Sequence, residues 1–324
     1  MNIKVGILGL GGIARKMANT VNKTEGAVLY AAGSRDIEKA KIFAKEFGAE
    51  KAYGSYEELA ADPEVQLIYI ATPHAFHAEN AMLCLEHGKH VLIEKPAAVN
   101  KKQAEQVFEK AREKNLFAGE AMWSRFQPIQ RTLEEIIASG TIGEVTCVTA
   151  NTGGAMTNVP RLALPELAGG ALLDVGIYPL NFASMIIKEP IKKITSTAVL
   201  TEKGVDGQNA FVITYGSGKM AILGSSMLSE MDSLGVVYGT KGRIEADFVI
   251  NIRSLKVITN DGSEKTITRP SQDTGFEFEL TAAVDAIKNG RSEFPEMPHS
   301  ETVRMLEIMD GLRKEWGVRY PFEK

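Results

Sequence analysis

Five short runs in the first third of the chain are apolar on consecutive positions rather than on alternate ones: "KVGILG" (4–9), "VLYAAGS" (28–34), "LIYIAT" (67–72), "HVLIEK" (90–95) and "FAGEAM" (117–122). Between them, in stretches such as "DIEKAKIFAKEFG", "AFHAENAMLCLEHG" and "NKKQAEQVFEKAREKN", apolar residues recur every three or four positions. A strand without a polar face is covered on both sides, and a helix with one apolar stripe is what covers it. The pattern predicts a parallel sheet between two helix layers, doubly wound by right-handed crossovers.

After about residue 122 the pattern changes. "QPIQRTLEEIIASG" reads as a helix that leads into the strand "GEVTCVTAN". "AFVITYGSGKMAILG" reads as a hairpin around Gly216–Gly218, "GVVYGTKGRIEAD" turns at Lys241-Gly242, and "LKVITNDGSEKTIT" turns at Asp261-Gly262. Two helical stretches, "FEFELTAAVDAIKNG" and "SETVRMLEIMDGLRKEWG", follow. The expected architecture is a doubly wound Rossmann domain at 1–122 and an α+β domain with a mainly antiparallel sheet at 123–324. No repeat, low-complexity segment or Pro/Ser-rich linker separates them, which predicts a packed hinge.

Composition narrows the partners. The 324 residues are 44% hydrophobic and 24% charged, with a net charge of -4 and no basic stripe, so nucleic acid is not expected as a partner. No apolar run is long enough for a bilayer span, and "MNIKVGILGLGG" enters a strand pattern without the features of a leader. Cys84 and Cys147 are far apart and read as small core residues. A cytoplasmic protein without membrane segments or disulfides is the expectation.

"GILGLGGIA" ends the first strand and opens the first helix. Gly9 suits a tight turn, Gly11 a close backbone approach to a pyrophosphate, and Ala14 close packing of helix on sheet; Gly12 and Ile13 sit where the first helical N–H groups face the phosphates. The second strand ends in "GSRD". NAD-binding chains usually have Asp or Glu there to hold the ribose hydroxyls; Ser34 and Arg35 suit the extra phosphate of NADP instead. Asp36 is read as the cap of the following helix, which leaves NAD the less favoured cofactor. Thr72 and Pro73 fall on the next carboxyl-end loop, where such loops meet a ligand at the switch point; His74 and His77, leading into a helix, suit capping or contact with the nicotinamide side, and no metal is expected from so few histidines. Glu94 and Lys95 end the 90–95 strand on the same rim, which makes Lys95 a candidate for cleft chemistry; a solvated strand end has the same composition.

"LAGGALLDVGIYPLNFASMII" (167–187) reads as an amphipathic helix in which Asp174 and Tyr178, four apart, share a face. Pro179 demands that it lie near the helix start or at a kink. A cap at Asp174 and a packing role for Tyr178 satisfy the same pattern.

The glycine loop, the "EKP" at 94–96, "GGALLDVGIYP" and the order of the two sheets resemble the glucose–fructose oxidoreductase/inositol dehydrogenase (Gfo/Idh/MocA) family over essentially the whole chain. "EAMWSRFQP" and a tyrosine where many relatives have histidine are similar to the dihydrodiol and xylose dehydrogenase branch. The resemblance implies an NADP-dependent oxidoreductase with Lys95, Asp174 and Tyr178 as its catalytic set. Its substrate would be a sugar, polyol or trans-diol. Trp123, Arg125 and Phe126 would wall the pocket, with simple packing at the domain junction the alternative for Trp123 and Phe126, and Arg161 would reach substrate from a loop. The resemblance also implies a homodimer or homotetramer formed through an open sheet face. An aldose–ketose oxidoreductase that retains its cofactor uses the same residues, whereas a cofactor-sensing regulator would lack the catalytic set.

Overall fold

The computed structural model describes residues 2–323, and the chain divides into two compact units, Met1–Phe126 with Gln272–Glu307, and Gln127–Ser271 with Ile308–Lys324. The first unit alternates strand and helix. Its strands are β1 (Ile3–Leu8), β2 (Ala27–Gly33), β3 (Lys51–Tyr53), β4 (Leu67–Ile70), β5 (His90–Glu94) and β6 (Ala118–Ala121). They form one parallel sheet in the order β3-β2-β1-β4-β5-β6. The helices between them are α1 (Gly12–Val21), α2 (Ile37–Phe47), α3 (Tyr56–Ala61), α4 (His77–Glu86) and α5 (Lys101–Lys114). Every residue of β4 and β6 is buried, as the unbroken apolar runs require. Leu59 of α3 lies close to the sheet because Gly33 has no side chain: a Cβ there would meet Leu59 Cδ2 at 2.7 Å.

The edge strand β3 and the helix α3 escaped the sequence pattern. β3 is only three residues long and none of them is fully buried. The helix was marked by "SYEE": Ser55 Oγ accepts from Glu58 N at 3.1 Å, and Glu58 reaches back to Gly54 N at 3.0 Å.

The linear division at 122/123 follows the order of elements, whereas packing places Trp123–Phe126 and Gln272–Glu307 with the parallel sheet. Aromatic contacts explain this. Trp123 stacks on Phe276 with ring centroids 4.4 Å apart, and Phe126 meets Phe294 edge-on at 4.7 Å. Ser292 O accepts from Ala118 N at 3.0 Å, so the returning segment occupies the outer edge of β6. The helix α9 (Glu277–Lys288) belongs wholly to this unit, and α10 (His299–Trp316) begins in it and ends in the second.

The second unit contains α6 (Pro128–Ala138), β7 (Val145–Gly153), the short α7 (Pro160–Ala163), α8 (Ile177–Ile186) and β8 to β14. Those last strands are Ile191–Leu200, Asp206–Tyr215, Met220–Ser226, Gly235–Gly239, Gly242–Asp247, Ser254–Thr259 and Glu264–Thr268. The eight strands order as β14-β13-β12-β11-β7-β10-β9-β8, and every pair is antiparallel except β7 with β10. One face carries α8, whose residues Ile177–Met185 are all buried. The expected amphipathic helix is thus buried on every side and mostly apolar, as a helix enclosed on all sides must be, with Asn181 and Ser184 its buried polar residues. Gly235 lets Phe182 of α8 touch the sheet, since a Cβ there would meet the ring at 2.7 Å.

The β11–β12 turn falls one residue earlier than expected, at Thr240-Lys241. Gly239 and Gly242 serve close approach instead: Cβ atoms there would lie 2.1 Å from Ile142 O and 2.4 Å from Ile258 O. Cys147 is half-exposed on β7 rather than a core residue, and only Cys84 is buried. No helix among the described residues is long and apolar enough to cross a membrane.

Gly119 on β6 leaves room for the returning segment, because a Cβ would meet Phe294 Cε2 at 2.3 Å and Phe117 Cζ at 2.7 Å. Gly119→Ala is expected to destabilise the first unit by about 1–3 kcal/mol through overpacking. A urea titration of the protein and its Gly119→Ala variant, both carrying Trp316→Phe so that tryptophan fluorescence reports Trp123 on Phe276, checks this.

Candidate active site

The carboxyl ends of β1, β2, β4 and β5 form the rim of the first unit. Gly9 has φ +87°, the left-handed region, and a Cβ there would meet Thr72 Cγ2 at 2.9 Å. Two independent constraints therefore require glycine at this position. Cβ atoms at Gly11 and Gly12 would meet nothing within 4 Å, so the backbone at the start of α1 is open to a ligand. Ala14 is fully buried under the helix, as close packing on the sheet demands. These features fit a dinucleotide pyrophosphate.

Asp36 is the cap of α2: its Oδ1 accepts from Glu38 N at 3.0 Å and Lys39 N at 3.3 Å. Ser34 Oγ accepts from Asp36 N at 3.2 Å. Arg35 lies beside a pocket of about 550 Å³ whose lining includes Tyr56, Thr72, Pro73 and Asn80. Burial raises the Tyr56 phenol pKa, while the neighbouring Arg35 guanidinium acts in the opposite direction. No carboxylate pairs with Arg35 among the described residues. Tyr56 was missed because its helix was missed.

His77 fixes the rim between β4 and β5. Its Nδ1 lies 2.7 Å from Pro96 O and its Nε2 lies 2.7 Å from Thr72 O. Two carbonyls would suit an imidazolium, but complete burial, reinforced by the charges of His74 and Lys95, pushes its pKa down to about 4. At neutral pH the ring is neutral and donates one hydrogen bond. Asn80 Nδ2 donates to Thr72 Oγ1 at 3.3 Å and to Phe76 O at 2.8 Å, which ties α4 to the same loop. His74 is buried in the 3₁₀ turn that opens this helix.

Glu94 ends β5, and Lys95, half-buried, follows it through a cis bond to Pro96. Glu94 accepts from the Tyr69 hydroxyl and, at 3.2 Å, from Lys95 N. Two further buried acids stand near this corner. Glu120 Oε1 accepts from Ala97 N at 3.0 Å and its Oε2 from Thr302 Oγ1 at 2.7 Å, so it anchors the loop after Lys95. Glu279 is fully buried and neither of its oxygens has a partner among the described residues. Burial first, and the charge of Glu94 second, hold its carboxyl well above the usual range. The sequence carried no signal for either role, because an acid inside a helix or strand pattern reads as a solvated position.

Trp123 and Phe126 are engaged in the ring contacts described above. Arg125 is held in an ion pair with Glu301 at 2.7 Å and donates to Glu296 O at 3.2 Å, with its side chain 8% exposed.

In the second unit, Asp174 and Tyr178 lie on one continuous helical segment and both are buried. Residues Leu172–Gly176 form a π turn, and α8 continues from Ile177. The wider turn relieves the clash that Pro179 would make with an α-helical backbone four residues before it. Arg161 lies on the short helix α7 rather than on a loop. Its guanidinium pairs with Asp174 Oδ1 at 2.6 Å, so the structure joins two side chains that the sequence offered separately. Lys95 belongs to the first unit, and Asp174, Tyr178 and Arg161 to the second. No cluster of three or more His, Cys, Asp or Glu side chains that could hold a metal occurs among the described residues.

Comparison with known proteins agrees with this layout. A family model described as "Oxidoreductase family, NAD-binding Rossmann fold" matches residues 3–121, and one for the GFO/IDH/MocA C-terminal domain matches 130–245. The chain is 35% identical over 303 residues to the trans-1,2-dihydrobenzene-1,2-diol dehydrogenase of Xenopus laevis, covering 90% of this chain and 91% of that protein. It is 33% identical over 335 residues to the Homo sapiens protein of the same name, covering 100% of both. The 3-ketoreductase KijD10 of Actinomadura kijaniata, solved with NADP and TDP-benzene, matches at a TM-score of 0.87 and 26% identity over 97% of this chain and 98% of that one. The aldose-aldose oxidoreductase of Caulobacter crescentus shares the fold, with a TM-score of 0.88 at 23% identity over 97% of each chain. With both domain models matched and full-length relatives above 30% identity, the chain belongs to the Gfo/Idh/MocA family of oxidoreductases.

Proposed function

We propose that the protein is an NADP-dependent dehydrogenase that moves hydride between nicotinamide and the carbinol or carbonyl carbon of a sugar, polyol or trans-diol. The observation that carries this reading is the full-length likeness to dihydrodiol dehydrogenases. The cofactor choice is supported by Asp36 being committed to its helix cap while Arg35 lines a pocket beside Tyr56. Gly9, Gly11, Gly12, Ile13 and Ala14 would hold the pyrophosphate, Ser34 and Arg35 the ribose phosphate. Thr72 and Pro73, which line the pocket with Arg35, would contact the cofactor there, and His74, His77 and Glu94 would frame the nicotinamide side. Bound NADP supplies the hydride acceptor.

The remaining work is proton handling. Tyr178 Oη takes the hydroxyl proton as the carbinol is oxidised and returns it in the reverse direction. An unperturbed tyrosine has a pKa of about 10 and is a weak base at neutral pH. The Lys95 ammonium is the cation that favours its phenolate. Asp174, held in place by Arg161, accepts from a second substrate hydroxyl. Trp123 and Phe126 supply the apolar wall, and the Arg125–Glu301 pair holds the turn that carries them. Self-association through the open face of the antiparallel sheet completes the reading. That face exposes Val199, Met220, Ile222 and Tyr238 at 37–54% of their surface, apolar area that a second copy of the sheet would cover.

Steady-state reduction of NADP against a panel of aldoses, inositols and trans-diols tests the reaction. Tyr178→Phe and Lys95→Ala are each expected to lower kcat by about 10²–10⁴-fold, and their double variant by far less than the product, as a coupled pair requires. Wild-type inactivity on the whole panel overturns the reading, and a cofactor that co-purifies in stoichiometric amount would favour an aldose–ketose oxidoreductase. Arg35→Ala is expected to weaken NADP binding about 10–100-fold in calorimetry and to leave NAD binding unchanged. Light scattering on the intact protein is expected to give a dimer or tetramer, and Ile222→Lys a monomer.

A further inference from the structure

We propose that Asp206 is a positioning residue for the segment that carries Asp174 and Tyr178: its buried carboxylate fixes where that helical segment begins. The inference rests on the reading of Tyr178 as the acid/base. Asp206 opens β9 and is 0% exposed. Its Oδ2 accepts from Leu172 N at 2.7 Å and from Asn209 Nδ2 at 2.8 Å. Leu172 is the first residue of the π turn, where a backbone N–H has no partner within the helix. A carboxylate acceptor makes that bond a charge-assisted one. Asn209 is held in turn by Ser225, whose Oγ donates to its Oδ1 at 3.1 Å.

The glycines before the helix are fitted to the same carboxylate. Gly170 has φ +117°, and a Cβ there would stand 2.2 Å from Asp206 Oδ1. At the other end of the turn, a Cβ on Gly176 would lie 2.6 Å from Ser225 Oγ. Tyr320 Oη donates to Gly169 O at 2.7 Å. The glycine pair is therefore gripped from β9 and from the C-terminal segment. The charged and titratable groups that face Asp206 are Arg313 and Tyr320, and Arg313 is itself paired with Glu323 at 2.8 Å and Asp310 at 2.9 Å. Burial pushes the Asp206 carboxyl up to about 6, so it remains mostly ionised at neutral pH. A buried anion whose Oδ1 has no partner among the described residues is costly for stability. The two bonds from its Oδ2 give that cost a purpose, because a displacement of about 1 Å at a reacting group is enough to lose about 10²-fold in rate.

The test compares Asp206→Ala with Asp206→Asn in the full chain. Asparagine keeps an acceptor for Leu172 N and caps helices about as well as aspartate, so kcat is expected within about threefold of wild type. Alanine removes the anchor and is expected to lower kcat about 10–100-fold, with the Kd for NADP unchanged, because the glycine loop is untouched. Hydrogen–deuterium exchange of the unliganded protein is expected to show faster exchange at residues 172–178 in Asp206→Ala and wild-type protection in Asp206→Asn. Exchange reads the anchoring even if the wild type turns over no substrate, so a failed reaction assignment and a failed anchor are distinguishable. Should Asp206→Ala not fold, Asn209→Ala, which frees the carboxylate from one side, is expected to raise exchange over the same residues. Wild-type exchange there in the variant that folds, equal kcat losses in the Ala and Asn variants, or an NADP affinity that falls in step with kcat would overturn the proposal.

Discussion

A single left-handed backbone position sets the geometry of the nucleotide rim. At Gly9 the chain must leave β1, clear the Thr72 side chain and enter α1 within a few residues. Any Cβ there would both strain the backbone and collide with the neighbouring loop. Once that turn is made, the start of α1 is open, and the loops after β2, β4 and β5 are arranged beside it. Hydrogen bonds accepted by Asp36 and Glu120 and made by Asn80 and His77 then lock those loops in place. The rim is thus a set of short connections, each stapled by a polar side chain whose partners are mostly backbone groups.

Much of this was legible in the sequence because its causes are local. Continuous apolar runs reported strands buried on both faces, and "GILGLGGIA" reported a turn whose requirements lie within nine residues. Asp36 could be read as a cap from its place before an amphipathic stretch. Long-range features were not legible. The return of Gln272–Glu307 to the first unit depends on Trp123 meeting Phe276 and Ser292 meeting Ala118, contacts between positions 153 and 174 residues apart. The π turn at Leu172–Gly176 has no period of its own in the sequence, and only Pro179 hinted at it. Arg161 and Asp174 were each candidates, but their ion pair depends on the fold of the intervening glycine segment.

The buried acids divide by what surrounds them. Glu120, Asp174 and Asp206 each receive hydrogen bonds or a guanidinium, and each ties a loop or helix start to a more rigid element. Glu279 receives none among the described residues, and burial holds its carboxyl pKa well above the usual range. Buried carboxyl groups thus act as tethers where donors converge, whereas burial without donors disfavours the charged form. Sequence reading treats all four alike, because charge state is a property of the site and not of the side chain.

The alternation of the antiparallel sheet has a practical side. On β7, Val148, Ala150 and Thr152 turn inward, which sends Cys147 to the outer face. In register it stands between Met220 of β10 and Tyr238 of β11, both exposed. The second thiol, Cys84, is shielded, and burial raises its pKa far above that of a reactive thiolate. The native chain therefore carries one partly exposed sulfur on the outer face of that sheet, its thiol pKa raised by partial burial. A fluorophore or spin label attached there needs no engineered cysteine and would report directly on whatever comes to cover that face.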